Sequence, residues 1–132
     1  MQGKFNVITL CGSTRFRAEY ERVQKELTLQ GNIVISVGLF GHSGDDEVWK
    51  DGVKEMLDEM HLAKIDMADE IFVINPGGYV GQSTSREIAY ARSRGKTVKS
   101  LCPLELPCEP SARRVTPDFI TELKEGEVFV FG

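Results

Sequence analysis

Short apolar runs rich in β-branched residues alternate with helical patterns along most of this chain, at residues 5–10, 32–37, 71–74 and 97–101. Between the first two runs the apolar residues recur at helical spacing, as in Phe16, Tyr20, Val23 and Leu27. A β-α-β-α-β-α-β order implies a parallel sheet with helices on both faces. With right-handed crossovers, the sequence predicts an α/β fold, a Rossmann-like or flavodoxin-like three-layer domain with a parallel sheet of four or five strands.

Three helices are predicted between the strands. The first ends at Gly31, a glycine in the C′ position, and the third begins at Ser83 or Thr84 and is closed by Gly95. The second is predicted over about residues 47–68, with Gly52 as an internal weak point that costs ~1 kcal/mol. The polar loop 38–46 before it is long enough to carry function.

The chain divides after the fourth predicted strand. Residues 1–101 form the predicted α/β domain, and the 132-residue chain is long enough for one real core. Residues 102–132 hold four of the five prolines and are predicted to form an extended arm that ends in a strand-like segment at 127–131.

Composition narrows the possible partners and the compartment. A net charge of −4 without a dominant Lys/Arg cluster argues against binding to duplex nucleic acid. No apolar run approaches membrane-spanning length, so no membrane partner is expected. An odd number of widely spaced cysteines (Cys11, Cys102, Cys108) and no secretory signal predict a cytoplasmic protein. Cys102 and Cys108 are too few for a zinc site without a histidine, and their spacing does not suggest one, so no metal or cofactor is predicted.

Glu87 lies in the first turn of the third predicted helix, just after the strand at 71–74 and its glycine loop. The carboxyl ends of strands in an open α/β sheet are where ligands bind. A carboxylate there is suited to attack, or to stabilise, an electron-poor sugar carbon. The alternative is structural, because Thr84 and Glu87 also have the spacing of a capping box.

The loop after the first strand indicates an anion site. Gly12, Ser13, Thr14 and Arg15 bring backbone N–H groups, two hydroxyls and a guanidinium to the start of a helix, which suits a phosphate. Ser13 or Thr14 also serves as the expected N-cap. The glycine pattern is not G-x-G-x-x-G, so an extended dinucleotide is not indicated.

A less favoured alternative uses the cysteine of this loop. Cys11 and Arg17 have the C-x5-R spacing of protein tyrosine phosphatases, in which a thiolate attacks phosphorus. Ala18 stands where a hydroxyl residue usually follows the arginine, and no convincing aspartic general acid is visible.

Taken together, these motifs resemble the nucleoside 2-deoxyribosyltransferase superfamily, and more narrowly its branch of deoxynucleoside 5′-monophosphate N-glycosidases. The resemblance covers residues 5–98 and rests on the strand ending in Cys11-Gly12-Ser13, the strand entry at 68–73, and the serine-rich turn into Glu87-Ile88-Ala89-Tyr90-Ala91. It implies cleavage of an N-glycosidic bond, or transfer of the deoxyribosyl group, with Glu87 as the nucleophile. Ser13 and Arg15 match the loop that receives the 5′-phosphate.

Two positions depart from the pattern of that superfamily. His61 stands where an aspartate near the sugar is common, with Asp66 further along the same helix. Gly81 stands where Asp or Ser often precedes the nucleophile. If Asp66 reaches Glu87, like charge would make the two an acid–base pair; the alternative for Asp66 is a solvated carboxylate. His61 is either a ligand contact or a satisfied, partly buried histidine.

A weaker similarity, carried by Pro76-Gly77-Gly78, is to phosphoribohydrolases that release cytokinin bases, and it implies the same reaction class. A nucleoside or nucleotide substrate and a homo-oligomer are therefore expected. The competing class is a non-catalytic nucleotide-sensing module. The expected substrate contacts are Gly77, Gly78, Tyr79, Gly81, Ser83 and Ser85.

Overall fold

A computed structural model of the chain describes residues 5–104, in which strands and helices alternate as predicted. The predicted arm beyond residue 104 and the strand at 127–131 lie outside the described residues. The strands are β1 (Val7–Gly12), β2 (Ile33–Ile35), β3 (Glu70–Ile74) and β4 (Thr97–Ser100), and the helices are α1 (Arg17–Leu29), α2 (Val53–Met67) and α3 (Gln82–Ser93).

The four strands form one parallel sheet in the order β2-β1-β3-β4, which confirms the predicted Rossmann-like or flavodoxin-like fold. The chain moves outward from β1 to β2 and then crosses back to β3 on the other side of β1. The direction of the connections therefore reverses between β1 and β3. In such sheets a ligand crevice forms beyond the carboxyl ends of the strands at this reversal.

Alternate residues of the central strands pack on opposite faces of the sheet, because side chains on a strand alternate. One core layer joins β1 and β3 to α1 and is formed by Ile8, Leu10, Tyr20, Val23, Leu27, Phe72 and Ile74. The other joins the sheet to α2 and α3 and is formed by Cys11, Ile65, Ile71, Val73, Ile88 and Ala91. The fold thus has three layers, and Cys11 at the end of β1 faces α2 and α3.

The second predicted helix is shorter than expected. Residues Asp46–Trp49 form a separate 3-10 turn, and α2 begins only after Gly52. Gly52 has a left-handed φ of 79°, which costs a glycine little and ends the turn instead of continuing a helix. Trp49 is therefore not part of the apolar face of α2, and its side chain is half exposed.

Two predicted helix caps are wrong. Helix α1 begins at Arg17 after Phe16, so neither Ser13 nor Thr14 is its N-cap. Helix α3 begins after Gly81, without a side-chain hydrogen bond at its cap, and Thr84 lies buried inside its first turn. The predicted glycine ends are confirmed, because Gly31 and Gly95 both have positive φ just after α1 and α3.

Among residues 5–104, none of the helices combines the length and the apolar character that crossing a lipid bilayer requires.

Candidate active site

A cleft of about 330 Å³ opens at the carboxyl ends of β1 and β3, where the topology predicts a ligand. This volume lies within the range of roughly 300–1,000 Å³ that small-molecule sites occupy. Its walls come from the loop after β1, the 39–49 segment, the first turns of α2 and the start of α3. From here on, residues 12–15 are called the first loop.

Gly12 sets the position of the first loop. A Cβ at this position would lie 2.6 Å from the carbonyl oxygen of Ile74, so only glycine allows β1 and β3 to approach each other this closely at their ends. The Tyr20 hydroxyl donates a 2.8 Å hydrogen bond to the Gly12 carbonyl from beneath. The first loop is therefore held against the sheet by backbone packing.

Glu87 lies on the floor of the cleft, on the side of α3 that faces β1. Its side chain is only 17 % exposed. A capping box requires Thr84 at the N-cap, but that position belongs to Gly81, so the capping alternative for Glu87 is wrong. The carboxylate is thus available to a ligand in the cleft.

Three ionisable groups from three elements meet at this floor. The Cys11 Sγ atom lies 3.4 Å from His61 Nε2, and the same nitrogen lies 3.9 Å from Glu87 Oε1. The Cys11 thiol also hydrogen-bonds to Glu87. Cys11 comes from β1, His61 from α2 and Glu87 from α3, and they are called the buried cluster below.

Burial dominates the electrostatics of the buried cluster. It raises the pKa of Glu87 to about 7, with a smaller upward contribution from Asp58, while the hydrogen bond from Cys11 opposes the change. Burial likewise raises the pKa of the Cys11 thiol well above its usual value, and the nearby Glu87 charge adds to this. Near neutral pH the thiol therefore stays protonated, and Glu87 is divided between its two forms.

His61 is the neutral member of the buried cluster. Burial lowers its pKa to about 4, and the Lys64 charge acts in the same direction. A hydrogen bond with the Leu10 backbone opposes the change. His61 is therefore uncharged at pH 7 and does not form an ion pair with Glu87, despite their proximity.

The first loop presents polar groups to the upper part of the cleft. The Ser13 hydroxyl accepts a hydrogen bond from the Arg15 backbone N–H. The Thr14 hydroxyl accepts one from the His42 backbone and lies 3.0 Å from the His42 ring. Arg15 is exposed, with its guanidinium 4.9 Å from the centre of the Tyr79 ring. All four residues proposed for an anion, Gly12 to Arg15, line the cleft.

Tyr79 bridges the two sides of the entrance. Its ring packs edge-on against Phe16, with the centroids 5.9 Å apart. Its hydroxyl lies 3.2 Å from the point where a side chain at Gly81 would begin. The hydroxyl of Tyr79 therefore occupies the space beside Gly81 that a side chain at this position would enter.

Sequence reasoning missed the wall formed by the 39–49 loop and α2. His42 and Trp49 line this wall with their rings 5.2 Å apart, and Lys54 and Asp58 form a 2.9 Å ion pair beside them. The available signal was Gly52. Placing the helix start there would have put Lys54 and Asp58 in its first turns, near the sheet edge.

Four predicted site residues lie away from the cleft. Asp66 is exposed and accepts hydrogen bonds from the Tyr90 hydroxyl at 2.8 and 3.0 Å, with Arg94 3.4 Å away. It is therefore not an acid–base partner of Glu87. Gly77 and Gly78 do not line the cleft, and the Gly78 backbone N–H donates a 2.8 Å hydrogen bond to the Asn75 carbonyl. Ser85 is exposed, whereas Ser83, Tyr79 and Gly81 line the cleft.

The phosphatase alternative is not supported by this geometry. The Cys11 side chain is fully buried, and its pKa is raised, whereas an attacking thiol needs a lowered pKa and access. Arg17 is directed elsewhere, with its guanidinium 3.3 Å from Glu21 and over the Phe40 ring.

No protein-family model matches the chain, and the curated proteins contain no match to it either. The cleft and the motifs around Gly12 and Glu87 are therefore the features that indicate a function.

Proposed function

We propose that this protein cleaves the N-glycosidic bond of a nucleoside or deoxynucleoside 5′-monophosphate, with Glu87 as the nucleophile. The observation that carries the proposal is a buried carboxylate on the floor of a cleft whose upper wall is an anion-binding loop. Glu87 and the first loop line the same cavity, as a substrate with a reactive carbon and a phosphate requires.

The reaction follows from the chemistry of the Glu87 carboxylate and of the substrate carbon C1′. The Glu87 carboxylate attacks C1′, the bond from C1′ to the base nitrogen breaks, and the base leaves with the bonding electron pair and takes a proton from solvent water. A glycosyl ester to Glu87 results. Water then hydrolyses this ester to the free sugar phosphate, or a second base attacks and receives the glycosyl group.

The first loop supports recognition of the phosphate. The Ser13 and Thr14 hydroxyls and the Arg15 guanidinium belong to residues that line the cleft, and together they suit a dianionic group. Lys54 also lines the cleft, where it forms an ion pair with Asp58. These contacts favour a monophosphate over a nucleoside.

The buried cluster sets the working state of the nucleophile. Only ionised Glu87 attacks, and its pKa of about 7 leaves a useful carboxylate fraction at neutral pH. The Cys11 hydrogen bond favours this ionised form. Because His61 is neutral, it forms no ion pair that would compete with C1′ for the Glu87 carboxylate.

A second candidate is a nucleotide-binding module without turnover. The specific observation for it is His61, which is neutral and buried where the superfamily commonly has an aspartate near the sugar. With either function, the proposal includes a homo-oligomer and a cytoplasmic location.

Base release from a panel of nucleoside and deoxynucleoside monophosphates, followed by chromatography, tests the proposal. The expected result is free base and sugar phosphate in equal amounts, and less product from the matching nucleosides. A thermal shift with a monophosphate but no base release would favour the binding module. An aryl phosphate in the same assay tests the phosphatase chemistry, and its hydrolysis would contradict the glycosidic assignment.

A further inference from the structure

The buried cluster has the composition of a metal site. A thiol, an imidazole and a carboxylate converge, and their potential ligand atoms all lie within 4.8 Å of one another. The sequence predicted no metal site, because the three ligands come from distant positions and show no ligand spacing. Neither Cys102 nor Cys108, the cysteines considered for zinc, belongs to this cluster.

The measured separations are close to those of a tetrahedral zinc site. Bond lengths of about 2.3 Å to sulfur and 2.0–2.1 Å to nitrogen or oxygen place ligand atoms about 3.3–3.6 Å apart. The observed values are 3.4 Å from Cys11 Sγ to His61 Nε2 and 3.9 Å from that nitrogen to Glu87 Oε1. The first value fits a tetrahedral site and the second is about 0.5 Å too long. All three ligand atoms lie within 4.8 Å of one another, so the Glu87 side chain has to move towards the other two ligands to close the site.

Charge and hydrogen bonding agree with a cation at this place. The ion would replace the Cys11 thiol proton, and one divalent cation then balances the thiolate and the carboxylate at the buried site. His61 is neutral and hydrogen-bonds to the Leu10 backbone. The His61 Nε2 atom faces both Cys11 and Glu87, and a neutral imidazole nitrogen of this kind is a common metal ligand.

We propose that Cys11, His61 and Glu87 bind a thiophilic divalent cation, with Zn²⁺ as the best chemical match. A thiolate with an imidazole selects such an ion over Mg²⁺ or Ca²⁺, which prefer oxygen ligands. The ion enters through the cleft, which His61 and Glu87 line, and Cys11 lies behind them. The fourth ligand is a water molecule on the cleft side.

Binding of the ion has a consequence that rests on the proposed function. The metal takes up the lone pair with which Glu87 would attack C1′, so Zn²⁺ is a reversible inhibitor of base release. A chelator restores turnover.

Metal binding is measured directly, by competition between the full chain and a chromogenic zinc chelator and by the thiolate-to-metal absorption band of bound Co²⁺. We expect one ion per chain. Cys11→Ala should weaken zinc binding at least about a hundredfold, beyond what loss of an outer-shell contact costs, and should abolish the Co²⁺ band. Glu87→Gln should weaken it too, with little change in side-chain shape. Cys102→Ala is the matched control and should bind as the wild type does.

Wild-type protein that binds no Zn²⁺, or binding that Cys11→Ala leaves unchanged, would overturn the metal site. Thermal unfolding of each variant without metal checks the fold, and Cys11→Ser, a near-isosteric change to a poor zinc ligand, replaces Cys11→Ala if the latter unfolds. The two proposals fail separately. Zinc binding through Cys11 without any base release would refute only the glycosidic reaction. Base release from a protein that binds no Zn²⁺ would refute only the metal site, and base release that bound Zn²⁺ leaves unchanged would refute the inhibition.

Discussion

The first loop and the buried cluster hold their polar groups in opposite ways, although they share one cleft. In the first loop, Arg15 remains exposed to solvent, and Ser13 is hydrogen-bonded locally. In the buried cluster, Cys11, His61 and Glu87 are withdrawn from solvent and touch one another. Burial moves the pKa of every one of these three groups, towards the neutral form in each case.

This difference separates recognition from chemistry. A solvated arginine next to backbone N–H groups attracts an anion and costs the fold little. A buried carboxylate costs the fold stability but gains reactivity, because its pKa lies near neutral pH. Perturbing the buried cluster should therefore affect turnover and stability, whereas perturbing the first loop should affect ligand affinity alone.

The largest effect is expected from Glu87→Gln. The replacement keeps the shape but cannot form a glycosyl ester, so base release should fall at least about a thousandfold, as loss of a nucleophile does elsewhere. Affinity for the monophosphate, measured by calorimetry, should remain within a few-fold. Wild-type turnover in this variant would remove Glu87 from the chemistry.

The pH dependence of turnover should follow Glu87. Because the attacking form is the carboxylate and its pKa is about 7, kcat/KM should rise about tenfold per pH unit below 7 and level off above 8. The measurement is the initial rate of base release at low substrate between pH 5 and 9. A rate that falls as pH rises through 7 would instead make Glu87 a general acid.

The same carboxylate should destabilise the fold as it ionises. Its folded pKa of about 7 exceeds the ordinary 4.5, so the free energy of unfolding should fall between pH 4.5 and 7, and the loss should be complete above 7. The difference corresponds to about 3 kcal/mol. Glu87→Gln should gain this much over the wild type at pH 8 and nothing at pH 4 in denaturant titrations. If the free energies of unfolding of Glu87→Gln and of the wild type changed with pH in parallel, the Glu87 carboxylate would be well solvated in the folded protein.

The two regions also differ in how far the sequence predicts them. The first loop is one continuous segment after a strand, so its anion-binding residues are visible at Gly12 to Arg15. The parallel direction of the strands follows from the alternation of apolar runs with helical patterns, because parallel strands need crossovers. The buried cluster depends on packing of α2 and α3 against β1. Only that packing brings His61 to Cys11, and it leaves Asp66 outside.

Local backbone geometry explains the remaining differences. Gly52 ends a 3-10 turn where the helical pattern suggested a continuous helix, and the aromatic wall with Trp49 follows from this. The sequence marks Gly52 as the weak point of that helix, and the structure begins α2 directly after it. Thr84 and Glu87 likewise match a capping box in spacing, but the helix begins at Gln82, before Thr84.

Arg15→Ala tests the first loop and should act on affinity alone. Loss of one charge-assisted contact should weaken monophosphate binding by about 1.5–3 kcal/mol, or roughly 10- to 150-fold. Nucleoside binding should change little, because no phosphate is present. Arg22→Ala, an exposed arginine on α1, removes the same charge elsewhere and controls for net charge. An equal loss for both ligands would make Arg15 structural.

The smallest effect is expected from Asp66→Asn, which separates the surface from the buried cluster. Asp66 accepts hydrogen bonds from the Tyr90 hydroxyl and lies 3.4 Å from Arg94, with both charged side chains about half exposed. Exposed pairs of this kind contribute little to stability, so turnover should stay within about twofold, and the melting temperature should move only slightly. Turnover is measured as base release, and the melting temperature is measured by thermal unfolding. A large loss of kcat with an unchanged melting temperature would place Asp66 in the chemistry after all. An exposed ion pair could lower kcat only by disturbing the structure, and that disturbance would also lower the melting temperature.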